Sequence, residues 1–597
     1  MNRNEIKEQD KWDLTPVFPD AAAWEEAFRN AEAALKKFPA LEETMLQSAE
    51  TLWQTVKTII ESGEEVTRVY TYAHLRYSED TRNPDAKKFM GQAQNLITAY
   101  SEATAFFDTA LLELDPAQLE TFLNQHDGLK EYEILLRNAY RYKPHTLSKQ
   151  EEKLLAAFQK ERETASDTYE TLTSADLKFG NILNEEGEET ELTDTNYTVF
   201  LRSPNRLVRK LAFKKLYAAY ASHQNTFASL YAGQLETEKV IAKVRHFDSA
   251  LQMSLFSDHV TPEIYTVMID NISGHLDVLF RYYALKKKVL GLKEMHIYDI
   301  YLPMLPDFQK KYSYEEAVEE VLHAVQIFGD EYVSILKQGY ADRWVDVWPN
   351  EGKVGGAFSG GCATTNPYIL LNFQQTEEDV STLAHESGHS MHSWFTRKNN
   401  PLQYADYTIF VAEVPSTVNE LVLAYYRLEH SKSREEKLAI LNHLLELYKG
   451  TIFRQMMFAE FEKITHELSE QGEVLTAELL CEKYYALNQK YFGDTVILDK
   501  EIAMEWMRVP HFYYHFYVYK YAVGLTAASH IVRRIRNHEP GALEDYFAFL
   551  KLGTKKNPVD SLKVAGVDMT KPEVFDSAVE MFREILDEFE TLWNQAS

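Results

Sequence analysis

The sequence predicts a mainly α protein, a multi-helix chain with one small β-sheet, and three observations carry that prediction. Helix breakers are scarce: 23 Gly and 18 Pro in 597 residues, about 4% and 3%, against roughly 7% and 5% in average proteins. Apolar residues recur at three- and four-residue spacing over long stretches such as 75–111 and 151–177, the period of a one-sided helix. Five of the 23 glycines crowd into positions 352–361, just before the apolar run 367–373, which reads as a buried strand.

Thr15-Pro16 and Phe18-Pro19-Asp20 form an entry turn to an Ala-rich helix that begins near Ala21. Helices with short connections follow to about residue 180. The acidic stretch 184–189, with Gly187 inside it, then interrupts them. Its flanks fit a hairpin, and a solvated loop with no partner is favoured over a binding role. Ser203-Pro204-Asn205 signals a helix start, and helices continue to about Gln338. The composition changes near Trp344, and after Glu377 the chain reads as helical almost to its end. With no internal repeat and no Pro/Ser-rich linker, the division is a soft one: an N-terminal helical domain, 1–195, and a larger domain, 196–597.

The charge balance is 63 basic against 91 acidic residues, a net of −28. Such a surface repels a phosphate backbone, which argues against a nucleic-acid partner. Cys362 and Cys481 lie 119 residues apart, so neither a disulfide framework nor a thiolate zinc site is expected. The N-terminus is too charged for a secretory signal, and no stretch of about 18 apolar residues is present to span a membrane. The expectation is a cytoplasmic protein without a membrane partner.

The chemistry centres on His385-Glu386-Ser387-Gly388-His389. On a helix, positions i and i+4 share a side, about 40° and 6 Å apart, so both imidazoles can reach one Zn²⁺ at about 2.0–2.1 Å. Glu386 sits beside the first histidine, where it can reach a water at the metal without being a ligand. Fewer than about 0.1 such matches are expected by chance for 19 His and at most 91 Glu in 597 positions, so the motif is good evidence but not decisive. A catalytic zinc needs a third protein ligand and an open fourth position. One class supplies a third His six residues after the second; Phe395 occupies that position. The other supplies a Glu from a following helix. Glu413, 24 residues after His389 and flanked by Val411, Val414 and Pro415, fits that role, and Pro415 marks a helix start. A charge buried among apolar residues needs a partner such as zinc; an exposed Glu favoured by a helix dipole is the alternative. Glu420 is a weaker ligand candidate or a supporting partner, and His392 reads as a packed residue.

With His385-Glu386-Ser387-Gly388-His389 and Glu413-Val414-Pro415-Ser416, together with Gly355-Gly356-Ala357-Phe358-Ser359-Gly360, the chain resembles the M3 zinc peptidases. This is the thimet oligopeptidase family, and the match lies within its bacterial oligoendopeptidase F branch. The resemblance runs from about Trp12 to the C-terminus. It implies a zincin-type fold with the small sheet beside the zinc helix, a deep substrate channel, and one Zn²⁺ held by His385, His389 and Glu413. It also implies that 196–597 is the catalytic domain, that Glu386 is the general base, and that the substrates are short unstructured oligopeptides. Glycines permit close backbone approach, and an unpaired strand edge can bind an extended peptide. The family uses an edge strand in this way, which points to Gly355, Gly356, Ala357 and Phe358 as substrate-binding residues; a tight structural turn is the other reading of the same glycines.

Five tyrosines fall within residues 511–521, an aromatic stripe that is mostly core at helical spacing. The family draws one His and two or three Tyr from this region to the site, which gives His511, Tyr514 and Tyr517, with Tyr519 and Tyr521 as alternatives. Their donors would face the oxyanion of peptide hydrolysis. Two other functions remain open at this level: a zinc exopeptidase acting on C-termini, and a non-catalytic helical peptide-binding module. Oligomeric state is not legible.

Overall fold

Helix caps and apolar faces agree along most of the chain. The computed structural model describes residues 2–305 and 310–595, and two compact units emerge from its packing. One comprises residues 2–144, 310–429 and 531–567; the other comprises 145–305, 430–530 and 568–595. No helix among the described residues is long and apolar enough to cross a membrane.

In the first unit, Asp20 caps the helix Ala21–Leu35. Ser48 caps the 31-residue helix Ala49–Glu79, and Asn83 with Pro84 starts its antiparallel neighbour Pro84–Thr104. Their facing sides bury Val66, Val69, Ala73, Ala93 and Leu96 together with Trp24, whose ring stacks on Phe89 at 4.3 Å. The same core takes in Tyr368 and Leu370, so the small sheet is fastened to this bundle. Each fully buried Leu or Val contributes about 1.5–3 kcal/mol.

The sheet has three strands. Tyr368–Leu370 lies in the middle, parallel to Val345–Asp346 and antiparallel to Phe358–Gly360. All three residues of the middle strand are buried, as its continuous apolar run requires. Phe358–Gly360 is half-buried and pairs on one side only among the described residues. The Gly-rich segment before it is pinned at two points. Lys353 Nζ meets Asp346 Oδ1 at 2.7 Å with both side chains fully buried, and Asn372 Nδ2 donates to the carbonyls of Val354 and Gly356 at 2.9 and 2.8 Å.

The second unit contains the long helices Gln224–Val244, Arg454–Glu470 and Pro572–Asn594. It also holds the hairpin at the acidic stretch, Asn181–Leu183 against Glu189–Glu191. Asn205 caps the helix Arg206–Ala221, as its Ser-Pro-Asn signal predicts. Two expectations are corrected. The helix Asp330–Ala341 runs through Gly339 and ends three residues beyond Gln338. The aromatic stretch is not one helix: a 3₁₀ turn Pro510–Tyr513 is followed by two residues with left-handed backbone, His515 (φ 49°) and Phe516 (φ 55°), and the helix starts only at Tyr519.

The motif lies on the helix Glu377–Asn399 of the first unit. Thr376 caps it in a reciprocal pair with Asp379, three acidic residues occupy its first turn, and Arg397 and Lys398 occupy its last. Both ends therefore suit the helix dipole. Twelve of its residues are buried, so it threads through the unit rather than lying on it. The helix Ile409–His430 meets it at Gly388, where an added Cβ would lie 2.5 Å from the Pro415 carbonyl oxygen and 2.6 Å from Ser416 Cα. Those are backbone atoms and cannot turn aside. Pro415 itself sits inside that helix, not at its start as the sequence suggests; the helix begins six residues earlier. Ala at position 388 gains about 1 kcal/mol of helix propensity, whereas overpacking typically costs 1–3 kcal/mol, and a backbone clash sits at the upper end. Gly388→Ala is therefore expected to lower the thermal midpoint of the metal-free protein despite its better propensity. An unchanged or raised midpoint would show that the helices part without strain.

Candidate active site

The two histidines of the motif face one point. Their Nε2 atoms are 3.1 Å apart, and Glu413 Oε2 lies 3.4 Å from each. These three donors form a group able to hold a metal ion. Tetrahedral ligands about 2.05 Å from a zinc-sized ion stand about 3.3 Å from one another, so the triangle has the size of a first coordination sphere. Its charge suits a cation too. Burial opposes the imidazolium of His385, but its bond to Glu420 and the surrounding carboxylates outweigh that and lift its pKa to about 9. The hydrogen bond to His389 holds Glu413 down at about 2. Without a metal, a proton supplies the positive charge that this ring of carboxylates attracts.

Around this triangle each side chain is held by a neighbour. His385 Nδ1 donates to Glu420 Oε1 at 2.9 Å, which orients the ring with Nε2 toward the point of convergence, where that atom would offer a lone pair once a cation replaced its proton. Ser416 Oγ donates to Glu413 Oε2 at 3.2 Å. Glu386 is buried, and that burial raises its carboxyl pKa; the two imidazoles counter the shift, while Glu413 and Glu420 reinforce it. A carboxylate raised in this way is a stronger base near neutral pH. Glu413 departs from expectation: its side chain is 51% exposed, so the cost of a buried charge is not what places it. His392 is buried and stacks on Tyr407 at 3.8 Å, and burial pushes its pKa to about 3. It is a neutral packed residue outside the donor group.

Several contributors escape a reading by motif. Gly388 lies in the pattern as a variable position, yet its missing side chain lets the second helix bring Glu413 in. Asn419 Nδ2 donates to the Ala384 carbonyl at 3.1 Å and its Oδ1 accepts from Tyr332 at 3.0 Å, which locks the two helices one turn from the crossing. Tyr340 bonds Ser387 at 2.7 Å. Ser359 of the edge strand meets Ser390 of the motif helix at 2.8 Å, which ties Phe358–Gly360 to the helix that carries the two histidines. The only local signal was a glycine inside a helix, a costly choice without a packing reason.

The second unit gathers the aromatic residues. His511 is ringed by Tyr514, Tyr517 and Tyr521, with ring centroids 5.6, 6.2 and 5.9 Å away, and its Nε2 is 3.3 Å from the Tyr521 hydroxyl. Tyr514 is half-exposed, and Tyr517 and Tyr521 are partly so. Tyr519 is buried against Tyr265. The four candidate tyrosines are thus three on the surface around His511 and one in the core.

Residues 199–581 match the model of peptidase family M3, and residues 111–179 match the model of oligopeptidase F. Oligopeptidase PepF of Bacillus subtilis is 42% identical over 99% of this chain and 88% of its own length. An oligoendopeptidase F homolog of Lactococcus lactis is 38% identical over 99% and 98%. Among solved structures, oligoendopeptidase-F of Enterococcus faecium superposes with a TM-score of 0.73 at 34% identity, over 96% of this chain and 99% of that one. A protein from Chlamydophila abortus superposes with a TM-score of 0.94 at 35% identity, over 99% of both chains. A mainly helical fold, the His-Glu-x-x-His helix converging with Glu413, and matches of this extent lead to one conclusion: the chain belongs to peptidase family M3.

Proposed function

We propose that this chain is a zinc-dependent oligoendopeptidase that hydrolyses internal bonds of short unstructured peptides. The observation that carries the reading is the convergence of His385 Nε2, His389 Nε2 and Glu413 Oε2 on one point, beside the buried carboxyl of Glu386. Two imidazoles and one carboxylate are a donor set that suits zinc and leaves a fourth position open. An ion held there supplies Lewis acidity, acidifying a water toward a pKa of about 7 and polarising the scissile carbonyl. Glu386 takes a proton from the attacking water and delivers it to the leaving amine. Glu420 keeps His385 in the ligating tautomer. His511, Tyr514 and Tyr517, with Tyr521 as the further candidate, donate to the oxyanion; the buried Tyr519 is the least suited of the four. The open edge of Phe358–Gly360, with Gly355, Gly356 and Ala357 leading into it, aligns the peptide by backbone hydrogen bonds. We divide the chain at 195/196, a boundary supported by the two family-model matches that fall on either side of it.

The test is an internally quenched peptide of about ten residues, blocked at both ends, with products identified by mass. Internal cuts that a zinc chelator abolishes are expected. Trimming only of a peptide with a free C-terminus would point to an exopeptidase instead. Glu386→Gln is expected to retain one zinc per chain while kcat falls about 10²–10⁴-fold, the range of general acid–base catalysis; retained turnover in the zinc-replete variant would remove the base from this role. Glu420→Ala is expected to weaken zinc binding about 10–100-fold, read by competition with a chromogenic chelator, and wild-type affinity would show that His385 needs no such support.

A further inference from the structure

The second unit contains a buried carboxylate that the reaction above does not use. Glu238 is 2% exposed. Its Oε2 accepts from His466 Nε2 at 2.8 Å, and its Oε1 accepts from Gln234 Nε2 at 2.8 Å and from His515 Nδ1 at 2.9 Å. Burial alone would raise its pKa, but the two imidazoles outweigh that and hold it ionised, below the ordinary carboxylate range. His515 is unlike the other partners: its side chain is 55% exposed and its backbone is left-handed, as is that of Phe516. Two consecutive residues with side chains in that region are strained and persist only when their surroundings fix them. Here the surroundings do. Ser254 Oγ donates to the His515 carbonyl at 2.5 Å, the Phe516 amide donates to Glu462 Oε1 at 3.1 Å, and Lys520 pairs with Asp258 at 2.7 Å beyond the turn.

This turn stands between His511 and Tyr514 on one side and Tyr517 and Tyr521 on the other. We propose that Glu238, acting through His515, is a positioning residue that holds the left-handed turn and thereby keeps the His511 and tyrosine donors in register for the transition state. The inference rests on the oxyanion role proposed above for those residues. An anchor of this kind acts on kcat, because donor placement matters most where charge develops.

The test uses the zinc-loaded enzyme and His515→Ala, which removes the exposed half of the pair and leaves Glu238 bonded to His466. Expected are a thermal midpoint like that of the wild type, a KM within about twofold, and a kcat lowered about tenfold, short of the roughly 100-fold that a misplacement of about 1 Å can cost. The inhibition constant of a phosphinic peptide, a mimic of the tetrahedral state, should rise by a similar factor, while that of a product peptide should not. Glu238→Gln should give a smaller loss that is not additive with His515→Ala. Wild-type kcat and phosphinate affinity in His515→Ala, or additive losses in the double variant, would overturn the anchoring. Tyr517→Phe and Tyr521→Phe assayed in parallel separate the two ideas. Impaired tyrosine variants beside a silent His515→Ala remove the anchor alone, whereas silent tyrosine variants remove the oxyanion reading and this proposal with it.

Discussion

The close approach of two helices at Gly388 is the constraint on which the convergence of His385, His389 and Glu413 depends. His385 and His389 come from one helix and share a face by geometry alone, but the third donor must be carried in by another element. Glu413 reaches the pair only because the backbone at Pro415 and Ser416 packs against a residue without a side chain. Asn419, bonded both to the Ala384 carbonyl and to Tyr332, holds the helices close to that point. The half-exposed Glu413 is thus placed by packing beneath it, among Val414, Pro415 and Ser416, all buried, and not by burial of its own charge.

Electrostatics then make the point of convergence a seat for positive charge. Glu386, Glu413 and Glu420 surround two imidazoles, and the first imidazole is pushed up to a pKa of about 9 despite its burial. The carboxylates differ in task because their surroundings differ. Glu413 opens to the donor triangle and is held ionised, Glu420 is spent on the far nitrogen of His385, and Glu386 is buried and raised. The same helix is bonded, through Ser390 and Ser359, to the edge strand proposed to align the peptide.

Much of this was legible in the sequence because it is local. The helix start at Ser203-Pro204-Asn205, the buried strand around Ile369, and the i, i+4 spacing of the histidines follow from short-range rules. Glu413 stands out by its distance from the motif, but of the two readings its sequence leaves open, buried or exposed, the structure has the half-exposed one, because exposure is a tertiary property. Gly388 gave no hint of its partner, which lies 27 residues further on. The left-handed turn at His515 and Phe516 was hidden, because neither residue type marks positive φ as Gly does. Without that turn, Tyr519 could not be told from Tyr517 or Tyr521.

The most direct test of this account is a calorimetric zinc titration of metal-stripped protein, wild type against Glu413→Ala. The account predicts one zinc per chain in the wild type and, in the variant, a loss of affinity well beyond the 10–100-fold expected of a group that merely supports a ligand. Wild-type affinity in Glu413→Ala, or a loss no larger than that of a supporting group, would mean that the crossing at Gly388 does not deliver the third ligand.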